Sequence, residues 1–347
     1  MSATHQRNRD ESEPDNGPIN DNDVRQVIEA AGWAPSVHNT QPWWFGPRGS
    51  RISLHADVER RLEVADPDGR EMVISCGAAL FTVRIAVRKL GYEPVVHLLP
   101  DPDRPGLIAD VSLGRPEPAI EDVERLFAQV RRRRTHRGAF RSETLPASLL
   151  PKLRVEATLE GATLRVAVDT HTRTALAALT EAAEHVQRLN PRHVSEAARW
   201  APVPGSSRRD GIHEGAYRRE PERTEPYFPG RDFARGHGWG TERQASAGDP
   251  DENMTGLVAI VTTAGDDRAD WLRAGQALQR ILLRACAEED VSAAFHTQAL
   301  EVPELREFIR TRFCAGEHPQ MLLRLGVADS GLTSVRRPPE DVTRQAP

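Results

Sequence analysis

The residues best equipped for chemistry lie in one short segment, Ala34-Pro35-Ser36-Val37-His38-Asn39-Thr40-Gln41-Pro42-Trp43. Pro35 and Pro42 fix φ and stiffen it. Between them stand two hydroxyls, an imidazole and two amides, followed by the indoles of Trp43 and Trp44. Donors and acceptors held beside flat apolar rings suit a planar heterocycle with carbonyl and N–H edges. The alternative is a polar turn that satisfies its own backbone, as Ser and Asn commonly do. A second segment, Arg131-Arg132-Arg133-Arg134-Thr135-His136-Arg137, ends a helical pattern. It reads as a solvated basic turn complementing a helix C-terminus, or as a phosphate or ribityl clamp of alternating arginines around a hydroxyl. A third pair, Arg336-Arg337, precedes Pro338-Pro339.

The rest of the chain narrows the field. Its 347 residues suggest roughly two domain-sized units. Net charge is −5, so the composition gives no reason to expect a nucleic-acid partner. No run of about 18 apolar residues marks a membrane helix, and the N-terminus lacks the apolar core of a secretory signal. The expected location is cytoplasmic and the expected partner a small molecule. Cys76, Cys286 and Cys314 form no CxxC pair and read as buried packing residues. No metal site is expected, since His185 and His193 share a helix face only if Pro191 does not interrupt it. Gly236-His237-Gly238-Trp239-Gly240 has the wrong spacing for a dinucleotide fingerprint. No general acid–base constellation stands out. All but two of the 46 basic Lys and Arg residues are arginine, so a phosphate here is expected to sit in Arg forks.

Periodicity organises the elements. Residues 1–20 read as a disordered tail. Residues 22–33 read as a short amphipathic helix capped by Asp21 or Asn22. RISLHAD, EPVVHLL, GLIADVSLG, ATLRVAVD, LVAIVTT and PQMLLRLG read as strands. EMVISCGAALFTVRIAVRKLGY, AIEDVERLFAQVRRR, TALAALTEAAEHVQRLN and WLRAGQALQRILLRACAEE read as helices. CGAALFTVRIAVRKLG and AGQALQRILLRACAEE share a Gly, an Ala-Leu and an aliphatic stripe. Each is followed by a strand-like segment, an acidic Pro-containing segment (DPDRPGLI, EVPELREF) and a strand ending in Leu-Gly. This points to a duplication, although two Ala/Leu/Arg-rich helices can resemble each other by chance.

RRTHRGAF and APSVHNTQPW resemble the two motifs of the flavin nitroreductases, and GVADSGLTSVRRPPEDV resembles their C-terminal segment. The order, APS motif before Arg motif in a chain of double length, resembles the Acg-type FMN-binding oxidoreductases with two family units fused. The resemblance implies an α+β, nitroreductase-like fold of two fused αβ units. Each has a mixed, mostly antiparallel sheet packed by helices. The implied division is a first half at 21–120 and a second at 121–347, with an insert or lid at about 201–250. It implies one FMN per chain, with Arg133 and Arg336 or Arg337 on the phosphate and Thr135 and Arg137 on the ribityl chain or pyrimidine edge. Ser36 and Asn39 would meet the flavin, and His296, Thr297 and Gln298 would lie near N5. The implied activity is NAD(P)H-dependent reduction of nitroaromatic or quinone-like acceptors. The other reading is flavin storage under a lid with little turnover. The fused chain would be a monomer with an internal pseudo-dimer, or a homodimer.

Overall fold

The computed structural model describes residues 19–216, 224–231, 233, 255–328 and 334–345. The expected tail and the Trp239 segment lie outside these residues, apart from Ile19 and Asn20. The chain begins with α1 (Asp21–Ala31), whose N-cap is Asn20 rather than Asp21 or Asn22. The Asn20 side chain accepts from the Asp23 N–H at 2.9 Å, satisfying a free first-turn donor. There follow β1 (Trp43–Arg48), β2 (Arg51–Ala56), α2 (Arg70–Lys89), β3 (Tyr92–Leu98) and β4 (Leu107–Pro116). Next come α3 (Glu121–Phe127), α4 (Leu149–Leu159), β5 (Thr163–Val166), α5 (Thr170–Leu189) and α6 (Pro191–Arg199). The chain closes with β6 (Leu257–Thr263), α7 (Arg268–Glu289), β7 (Ser292–Phe295), α8 (Pro303–Phe313), β8 (His318–Gly326) and α9 (Pro339–Val342).

The strands form two four-stranded sheets, ordered β1-β2-β4-β3 and β5-β6-β8-β7. All named strands pair antiparallel. The parallel component is two isolated bridges, Phe45–Thr343 and Thr135–Ala293. Strand order thus repeats, and a long helix sits at the same place in each unit, α2 after β2 and α7 after β6. The fold is α+β, built from two units of the same strand order.

The two long helices cross at Gly77 and Gly275. A Cβ on Gly275 would lie 2.0 Å from the Ile74 carbonyl oxygen, and one on Gly77 2.5 Å from that of Leu272. Only glycine permits this approach. Across the contact, Leu272 and Leu283 join the apolar core of the first unit, and Ile74 joins that of the second. Cys76, Cys286 and Cys314 are free and buried.

Candidate functional site

The segment 34–42 turns sharply between α1 and β1. His38, Asn39 and Gln41 have φ of 45°, 53° and 48°, left-handed values that non-glycine residues hold only where the surroundings impose them. Several bonds do so. The Ser36 hydroxyl accepts from Gln41 N–H at 2.9 Å, and the Ser75 hydroxyl accepts from Val37 N–H at 3.2 Å. Asn39 Nδ2 donates to the carbonyls of Gly211 and Val335.

The Arg segment lies along the free edge of β7. Thr135 bridges Ala293, and His136 N–H donates to the Ala293 carbonyl at 2.8 Å. A cavity between the units is therefore walled by Ser36 and His38 from the first segment, Thr135 and Arg137 from the second, and His296 and Thr297 after β7. Ile74, Leu278, Met321, Phe228 and Phe233 supply apolar surface. Both ring nitrogens of buried His38 lack a hydrogen-bond partner, and Phe233 meets the ring edge-on at 5.2 Å.

Beside the cavity stands a cluster of arginines. Arg133 gives one hydrogen bond, from Nη2 to the Trp33 carbonyl at 3.2 Å, while its buried Nε and Nη1 have no partner. Arg336 stacks on Trp33 at 5.4 Å and bonds Asn39 Oδ1 at 3.0 Å, while its Nε is buried and unpartnered. Arg134 covers the same indole at 5.2 Å. Arg137 donates to the Ala216 carbonyl at 2.9 Å. Burial pushes Arg133 and Arg137 down to about 10, and Arg134 and Arg137 also depress Arg133. Arg336 is held well below the usual guanidinium range by burial, then by Arg133, Arg134 and Arg137. No carboxylate offsets this charge among the described residues.

Asn39, Arg337 and Gln298 sit apart from the cavity wall. Asn39 brackets the insert and the C-terminal segment. Arg337 is occupied by backbone, giving hydrogen bonds to the carbonyls of Gln41, Trp43 and Asp341. Gln298 is buried and donates to Glu184 and the Pro229 carbonyl. His296 accepts from Arg324 Nε at 2.8 Å, and burial holds its imidazole well below the usual range.

Contrary to the sequence expectation, a titratable constellation is present. Glu71 and Arg231 line the cavity. Glu71 is bonded by Arg70 at 2.9 Å. Arg231 pairs with Glu301, which also accepts from Thr297 Oγ1 and Gln187 Nε2. Burial and the negative charge of Glu301 raise Glu71 well above the usual carboxyl range, against Arg70. Despite its burial, Glu301 is held far below that range by the Arg231 guanidinium, which pairs with it directly. Each residue alone looks like surface charge in the sequence, and no local pattern marks them.

The fold and this site define a class of protein, the two-unit nitroreductase-like α+β chains. No family model matches the chain. It is 32% identical over 308 residues to a Mycobacterium tuberculosis protein named "Putative NAD(P)H nitroreductase Rv3131", covering 88% of this chain and 85% of that one. It is 27% identical over 306 residues to "Putative NAD(P)H nitroreductase acg" of the same organism, covering 88% and 89%. A solved structure titled a putative nitroreductase, from Anabaena variabilis, superposes with a TM-score of 0.51 at 11% identity, covering 89% and 88%. The chain belongs to the nitroreductase family, in its Acg-type branch. No described helix is long and apolar enough to cross a membrane.

Proposed function

We propose that the cavity and arginine cluster hold one FMN, and that the protein is an NAD(P)H-dependent oxidoreductase reducing nitroaromatic or quinone-like acceptors in the cytoplasm. The carrying observation is the arginine cluster with no carboxylate partner. Burying guanidinium groups without a counter-charge is costly, and a phosphate would relieve that cost. The orphaned N–H groups of Arg133 and Arg336 fit phosphate oxygens, with Arg137 beside them. The apolar cavity wall and the unpartnered His38 fit a flat ring with polar edges. When bound, FMN supplies hydride chemistry at N5. The chain's own task is to hold it: Ser36 and Thr135 at the wall, and His296 and Thr297 at the end of β7.

The storage reading also has support. The described residues of the insert cover the first segment: Asn39 Nδ2 donates to the Gly211 carbonyl at 3.0 Å, and Gln41 Nε2 to the Arg209 carbonyl at 2.9 Å. Phe228, Arg231 and Phe233 of the same insert wall the cavity.

Visible absorbance of the purified chain, followed by NADPH addition without oxygen, separates the readings. A flavin band that bleaches supports the reductase. A band that persists supports storage. A colourless protein that takes up no added FMN overturns both.

A further inference from the structure

A groove lies behind the cavity, lined by Asp66, Arg70, Arg306 and Glu301 among others. Two Arg–Glu contacts separate the two spaces, set in opposite senses. In one, Glu71 faces the cavity and Arg70 the groove; in the other, Arg231 faces the cavity and Glu301 the groove. The wall between the cavity and the groove is thus one pair of polar side chains thick.

The two carboxyls are unequal. Glu301 is saturated by Arg231, Thr297 and Gln187. Glu71 has a single side-chain hydrogen bond, from Arg70. The charged groups acting on Glu71 are Glu301 beyond β7, Arg70 and Asp66 at the start of its own helix, and Arg231 of the insert. The hydrogen bonding points the same way: three donors favour charge on the Glu301 carboxyl, and one donor favours it less on Glu71.

We propose that Glu71 is the proton donor of the cavity, recharged from the groove on the far side of its Arg70 pair. This rests on the reductase reading. A quinone bound in the cavity gains a hydride, two electrons with one proton, from the reduced cofactor. Its oxygen takes a second proton from Glu71, giving the hydroquinone. Glu71 is left as carboxylate and regains a proton from water in the groove.

The first test uses the full chain without flavin. Infrared spectra between neutral and alkaline pH are expected to show the stretch of a protonated carboxylic acid, absent in Glu71→Gln and kept in Glu71→Asp. Identical spectra for the native protein and Glu71→Gln overturn the assignment. On mixing with D₂O the band is expected to shift much faster than the protein unfolds; a shift no faster than unfolding overturns the groove route. In the FMN-loaded chain, dithionite-reduced and mixed with a benzoquinone, Glu71→Gln compared with native protein at saturating FMN should slow reoxidation by about 100- to 10,000-fold. An unchanged rate overturns the donor role. A chain that takes up no FMN but shows the band retires the reductase reading and the quinone step with it, leaving Glu71 as the acid of the cavity. A missing band retires Glu71 whatever the flavin does.

Discussion

Gly77 of α2 and Gly275 of α7 touch backbone to backbone: a Cβ on Gly275 would fall 2.9 Å from the Gly77 Cα. Gly275→Ala gains about 1 kcal/mol of helix propensity but forces the packed helices apart, at about 1–3 kcal/mol or more. The clash falls on backbone, which cannot rotate away, so a net loss of stability is expected. Denaturant unfolding of Gly77→Ala and Gly275→Ala checks this, and an unchanged midpoint would count against the close crossing.

Arg133→Ala should have opposite effects with and without ligand. A charge-assisted hydrogen bond contributes about 1.5–3 kcal/mol, so FMN affinity should drop roughly 10- to 150-fold. The ligand-free chain loses an uncompensated buried charge and should melt no lower than native. Calorimetry and thermal melts of both states decide. Arg337→Ala, by contrast, removes bonds to the carbonyls of Gln41, Trp43 and Asp341 and should lower the melting temperature even without FMN.

Asn39→Ala cuts links to Gly211, Val335 and Arg336 together. At about 0.5–1.5 kcal/mol for each typical hydrogen bond, a loss of about 1.5–4.5 kcal/mol is expected. Protease sensitivity should rise within 201–216 and 334–345; an unaltered cleavage pattern would remove Asn39's bracketing role.

Acid should weaken the fold below about pH 6.5. His38 and His296 are held well below the usual imidazole range and His55 down to about 4, all mainly by burial. The unfolded chain takes up these protons near pH 6.5 while the folded chain does not. Their stabilisation is therefore present above that pH and lost as pH falls, toward about 4 for His55. Glu71 acts in the opposite sense: its raised folded value makes stability fall as pH rises past the unfolded carboxyl's range. Unfolding midpoints across pH should show a shallower acid limb for His55→Gln and a flatter neutral limb for Glu71→Gln.

Much of the framework was legible because it is written locally. α2 and α7 show continuous apolar patterning, and the glycines that allow their contact stand at matching places in the two segments. β1 was not legible: Trp43-Trp44-Phe45-Gly46-Pro47 does not alternate, and its Pro47 is tolerated at a sheet edge. EVPELREF reads as a counterpart of DPDRPGLI, yet it opens α8, with Pro303 in the first turn, where its missing N–H costs nothing. The two cavity segments could be found because their polar residues are contiguous. Glu71, Arg231 and Glu301 could not, because tertiary folding alone brings together three separate stretches of the chain.

The first segment and the Arg segment line one cavity of a single polypeptide. Assembly of the site is therefore a first-order event that dilution does not undo.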